Sequence, residues 1–146
     1  MVRSRQINAD GEAAFMVVFD RGEDAARGLE RFADEHGLTA ARISGVGGFS
    51  SAKLGFFDWE SKSYRDIPVN EQVEVLSFDG DVALTKSGPH VHVHTVLGRA
   101  DGSTVGGHLM EGSVRPTLEV LVVESPGDLR RVHDEDSGLE LIDPDA

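Results

Sequence analysis

Apolar residues in this chain fall into short dense runs separated by glycine and polar pairs, the rhythm of strands rather than of helices. AAFMVVFD (13–20) is nearly continuous in Val, Phe and Met and predicts a buried strand. The period lengthens only once, across DRGEDAARGLERFADEHG. There Ala25, Ala26, Leu29, Phe32 and Ala33 recur at helical spacing, with Asp20 and Glu23 as a capping-box start and Gly37 as the stop. AARISGV predicts a strand broken by Gly45, Gly47 and Gly48, where the backbone turns tightly or approaches something closely. SAKLGFFDW and SYRDIPV flank Glu60-Ser61-Lys62 as a hairpin. QVEVLSFDGDVAL reads as a long strand with a bulge at Gly80.

PHVHVHTVLG, VGGHLMEG and PTLEVLVVE complete the strands, the first two joined through a turn at Asp101-Gly102. Beyond Pro126 the chain turns polar and acidic, and RRVHDEDSGLELIDPDA reads as a tail with one more short edge or turn. Phe15, Val17, Phe19, Phe56 and Phe78 are the expected core. One helix among about seven strands with short connections predicts an α+β fold, mainly an antiparallel sheet flanked by one or two helices.

At 146 residues the chain suits one domain with a real core. Its 26 acidic and 14 basic residues give a formal net charge of −12, a field that repels the phosphate backbone of nucleic acids. The three lysines (Lys53, Lys62, Lys86) form no cluster, and the charge serves solubility. No apolar run approaches the roughly 20 residues that cross a bilayer, and the start has no apolar signal core, so a cytoplasmic protein is expected. The absence of cysteine excludes disulfides and thiolate metal sites; a metal here must use imidazole, carboxylate or water. Gly45, Gly47 and Gly48 are not followed by the Lys of a phosphate loop, so turn geometry accounts for them better.

Three of the six histidines, His90, His92 and His94, alternate along one strand and therefore point to one face. Same-face neighbours sit about 6.6 Å apart, so two adjacent histidines can converge on one ion but the outer pair, about 13 Å apart, cannot. If Ala100-Asp101-Gly102 is a three-residue hairpin loop with Gly102 left-handed, His94 falls opposite His108, and His92 lies one step along. A bulge at Gly106-Gly107 would instead turn His108 away. Three imidazoles suit zinc first, then iron, nickel or copper, and leave one coordination position open. The alternative is a row of solvated histidines on an open sheet face. His36, at the helix end, and His133, in the tail, read as ordinary.

Glu119, inside an otherwise apolar strand, either orients a ligating histidine or faces solvent at a sheet edge. Arg42 and Arg115 are candidates to bind an anionic substrate, with ordinary surface arginines as the alternative. Glu111, just beyond His108, stays undecided. Glu119 and Arg42 are the candidates for any catalytic part.

SGVGGFSSAKLGFFD, VEVLSFDGDVAL, PHVHVHTVLGRADGSTVGGHLMEGSV and TLEVLVVE together resemble the PPC family, the plants-and-prokaryotes-conserved domain, over about residues 13 to 142. The H-x-H, the D-G turn and the following G-G-H-L are the most specific part. The resemblance implies one mainly antiparallel sheet flanked by helices, assembled as a homotrimer, with a divalent metal, usually zinc, on the histidines of H-x-H and G-G-H. The family's spacing after the proline selects His92 and His94 here, with His108 as the third ligand, and leaves His90 as an extra histidine. The family also carries a DNA-binding label, largely from plant members that add an AT-hook, whose Arg-Gly-Arg-Pro core is absent here. In fold the family is similar to acetolactate decarboxylase, which implies a zinc-dependent lyase or decarboxylase-like activity by analogy alone. Three functions are therefore in play: a zinc protein acting on or binding a small anionic ligand, a DNA-binding regulator, or a structural trimer whose metal pins the hairpin.

Overall fold

Four long strands that pair in a ring organise the molecule. The computed structural model describes residues 1–146, with nine strands and one helix. In chain order these are β1 (Val2–Gln6), β2 (Ala14–Phe19), α1 (Ala25–Glu35), β3 (Ala40–Asp58), β4 (Ser63–Val69), β5 (Val73–Thr85), β6 (Gly88–Gly98), β7 (Thr104–Glu124), β8 (Arg130–His133) and β9 (Glu140–Asp143). β3 pairs with β5, β5 with β6, β6 with β7 and β7 back to β3, all antiparallel. β2 and then β1 extend the sheet beyond β7, β4 folds back on the far end of β3, and β8 and β9 lie outside β5. The fold is α+β in a single domain, with one helix as cover. No helix is long and apolar enough to cross a membrane.

Alternation along the strands builds the core. Phe19, Phe49, Phe78, Leu54, Leu97 and Leu118 are fully buried, and α1 adds Leu29, Phe32 and Ala33 from one face. The helix comes close because Gly28 lies against the Phe19 ring, where a β-carbon would collide. Its N-cap is Asp24, whose carboxylate accepts from Arg27 N at 2.9 Å, and not Asp20. Asp20, four residues before that cap, instead pairs with Arg3 and the N-terminal amine. Gly37, at φ 59°, ends the helix as expected.

The glycines of β3 do not break it. Gly47 and Gly48 let the carbonyls of Thr117 and Arg115 approach where side chains would collide, so the strand runs on through bulges. Nor does Gly80 bulge: it pairs regularly with Ile43 and Val93, and the irregularity lies between Val75 and Ser77. Phe15, Val17, Phe19 and Phe78 are core as expected, but Phe56 is 52% exposed. Beyond Gly55, β3 keeps only β4 as a partner, so the β3–β4 hairpin projects past the core and carries Phe56 out with it. The tail forms the antiparallel pair β8–β9, and the N-terminal residues form β1, which the apolar pattern does not mark.

Candidate metal centre

The Ala100–Gly102 loop has the expected geometry: Gly102 is left-handed at φ 84°, and its N–H donates to the Arg99 carbonyl at 2.9 Å. β6 and β7 therefore pair in the register that sets His94 opposite His108, with no slip at Gly106 or Gly107. Val93, Thr95 and Leu97 take the buried face of β6, which leaves the histidines on the other. His92 Nε2 and His94 Nε2 lie 3.1 Å apart, and one ring nitrogen from each of His92, His94 and His108 lies within 4.8 Å of the others. Tetrahedral zinc with bonds of about 2.0–2.1 Å needs nitrogens about 3.3 Å apart. One pair is already near that spacing, and the third nitrogen lies within 4.8 Å of both. His90 is too far along the row and contacts Glu30 of α1 instead, at 3.3 Å.

The environment favours neutral imidazoles, the form that ligates metals. Burial, followed by the charges of His92 and His94, pushes His108 down to about 4 from 6.5. Burial first and His94 second also lower His92, against the opposing pull of Asp81. His108 Nδ1 is buried with no hydrogen-bond partner. Buried polar atoms are normally satisfied, and the three-imidazole donor set of which this ring is part is chemically suited to a divalent metal.

Two carboxylates back the row. Lys86 and Ser87 form a two-residue loop between β5 and β6, so Asp81 stands opposite His92 and Asp79 opposite His94. Asp81 Oδ2 is 3.9 Å from His92 Nδ1, and its Oδ1 accepts a 2.5 Å hydrogen bond from Arg131 of β8. The sequence reading missed both aspartates, although the signal was present: a hairpin centred on Lys86-Ser87 aligns D-x-D with H-x-H.

The candidates separate clearly. Arg42 is beside the site, 3.8 Å from Asp79, and lines a shallow cleft with His92 and His94. Glu119 is exposed on the outer face of the sheet, between Val18 and Val46, and makes no hydrogen bond or ion pair. Glu111 is turned to Lys53, 3.0 Å away, and Arg115 is exposed and unpaired. His36 stacks on Phe32 with ring centroids 4.1 Å apart, and His133 lies 3.6 Å from Glu140. A cavity of about 690 Å³ opens on His92 and His108, and its lining includes Tyr64, Lys86, Arg131, Leu139 and Leu141. The Tyr64 ring lies over His108, centroids 4.9 Å apart.

A family model described as Plants and Prokaryotes Conserved (PCC) domain matches residues 6–126. The metal-containing protein AF0104 of Archaeoglobus fulgidus is 35% identical with a TM-score of 0.82, over 97% of both chains. A proposed DNA-binding protein of Bacteroides thetaiotaomicron is 25% identical with a TM-score of 0.92, over 100% of this chain and 99% of that one. The bifunctional protein GlmU of a Synechococcus strain is 35% identical over 106 residues, covering 71% of this chain. The chain spans only 16% of the length of that curated relative.

Proposed function

The chain belongs to the Plants and Prokaryotes Conserved domain family, and from that premise we propose that it holds zinc through His92, His94 and His108 and binds a small anionic ligand at the open coordination position. The observation that carries this reading is the convergence of the three ring nitrogens within 4.8 Å. The buried, unpartnered Nδ1 of His108 and the metal-containing Archaeoglobus protein support it. Zinc on three imidazoles is an electrophile with room for one more donor and lowers the pKa of a bound water towards about 7. The adjoining cavity is lined by Tyr64, Leu139 and Leu141 beside the polar side chains of Thr85, Lys86 and Ser87, and Lys86 offers it a cation. A small, polar ligand with one anionic oxygen suits that largely polar lining.

We also assign self-association as a homotrimer. The face that β2, β7 and β3 turn away from the core carries Met16, Val46 and Val123, which are 37%, 59% and 38% exposed. Neighbouring apolar residues of this kind are typical of contact surfaces. Metal analysis of protein purified without added metal is the deciding experiment, with about one zinc per chain expected and none in His92→Ala or His108→Ala. Absence of metal from the wild type, or equal metal in the variants, overturns the reading. Sedimentation should give three times the 15.7 kDa chain mass.

DNA binding is the second reading, and the Bacteroides protein is what favours it. The net charge of −12 opposes it.

A further inference from the structure

Arg131 is the one charged residue in the buried set, with a side chain only 6% exposed. It lies on β8, beyond the residues that match the family. Burying a guanidinium is costly unless its donors are paired. Here Nη2 donates to Asp81 Oδ1 at 2.5 Å and Nη1 to the Glu140 carbonyl of β9 at 3.2 Å, while the buried Nε has no partner. The second Asp81 oxygen faces His92 Nδ1, while Nε2 at the other end of that ring faces His94. A continuous line of groups thus runs from the terminal hairpin to the three histidines.

We propose that Arg131 is a positioning residue for the metal site, acting through Asp81 on His92, and that the β8–β9 hairpin is thereby a working part of that site. The inference rests on the zinc reading above. At 3.9 Å the carboxylate acts on His92 by charge rather than by a formed hydrogen bond. It favours the tautomer with the proton on Nδ1, leaving the Nε2 lone pair aimed at the other two histidines. Arg131 holds one oxygen of Asp81 and so fixes where the other points. Without it the carboxylate is free to rotate.

The sign of the effect separates this role from simple electrostatics. A guanidinium acting only by its charge repels a nearby cation, so its removal should strengthen metal binding. A guanidinium acting by orientation should weaken binding when removed. The hairpin makes only one bridge to β5, Leu84 with Arg130, and one bond from Leu84 N to the Leu129 carbonyl at 2.7 Å. Arg131→Met alone could therefore loosen it, and Asp81→Asn, which breaks the same line of contacts from the β5 side, is the companion variant.

Competition titration with a zinc chelator should show Asp81→Asn and Arg131→Met each weakening zinc binding by about 10- to 100-fold. The double variant should bind no more weakly than Asp81→Asn. Nitrogen NMR of the metal-free chains should find His92 as the Nδ1–H tautomer in the wild type and mixed in both variants. Unchanged or tighter zinc binding in Arg131→Met, or multiplied losses in the double variant, overturns the proposal. A wild type that takes up no zinc, yet keeps an Arg131-dependent His92 tautomer, defeats the zinc reading and not the positioning. Zinc uptake with the tautomer unmoved in both variants defeats the positioning alone.

Discussion

His94 and His108 are direct cross-strand partners, so the β6–β7 ladder itself delivers two imidazoles to one place. Gly107, next to His108, keeps β7 close to β3 there. A β-carbon on it would come within 2.7 Å of the Gly55 carbonyl oxygen and 3.3 Å of Leu54 Cβ. Those are backbone and core atoms, which cannot swing aside. Gly107→Ala should therefore destabilise the protein by about 1–3 kcal/mol and weaken zinc binding by displacing His108. At Gly106 the tightest approach, to the Thr95 carbonyl, is 3.2 Å, so Gly106→Ala should cost less. Denaturant melts with zinc titrations on both variants check this; equal costs would show that the β3 contact does not hold the register.

A metal shared by β6 and β7 should stabilise the chain through binding to the folded state alone. At free zinc 100 times the dissociation constant the gain is about 2.7 kcal/mol. For a chain of this size that is roughly 5–11 °C in melting temperature. Chelation should remove the increment and added zinc restore it, while His92→Ala should melt at one temperature under both conditions. A wild-type melting temperature indifferent to zinc would count against the site.

The site was legible because two local rules coincided: a period of two on β6 and a three-residue loop with glycine in its left-handed position. Together they fixed which histidines face which. Asp79 and Asp81 needed one further step, centring the preceding hairpin on Lys86-Ser87, and the apparent bulge at Gly80 obscured it. Arg131 could not be read at all. It sits between two more exposed neighbours on a short strand, and burial of an arginine there is set by Asp81, 50 residues away. Phe56 misled for a similar reason, since whether a phenylalanine on a strand is core depends on how far the partner strands extend. The helix start slipped from Asp24 to Asp20 because both offer a carboxylate, and what singles out Asp24 is long-range: it accepts from Gly112 N at 3.2 Å and bridges to Ser113 on β7.

His108 contributes the better-defined part of the pH dependence of the metal-free protein, and the lowered His92 adds to it in the same direction. The folded value of His108, about 4, lies below the 6.5 of an exposed histidine. Between those values the unfolded chain binds more protons than the folded one, so folding stability should rise with pH from about 4 to 6.5 and then level off. Burial keeps the ring neutral, and acid favours the unfolded chain that can charge it. His108→Gln, which has nothing to protonate, should reduce that slope in urea melts at stepped pH. A slope of the same size in the variant would place its origin elsewhere.

Binding to duplex DNA tests the rival reading directly. The basic residues are few, and most of those near carboxylates are already engaged. Arg3, Arg27, Arg42, Arg99, Arg130 and Arg131 each lie within 4.0 Å of an aspartate or glutamate oxygen, and Lys53 is paired with Glu111. Lys62 sits over the Trp59 ring, 3.2 Å from its centroid. Neutralising phosphates would mean breaking these contacts against a net charge of −12 per chain, which the proposed self-association would multiply. Affinity for nonspecific duplex at about 0.15 M salt should therefore be weaker than the 10⁻⁴ to 10⁻⁶ M range of basic DNA-binding proteins. Fluorescence anisotropy with a labelled duplex, repeated at low salt, gives the answer. Micromolar binding that falls steeply as salt rises would mean that an assembly of chains gathers its free cations, Arg5, Arg21, Arg31 and Arg115 among them, into a surface that a single chain does not possess.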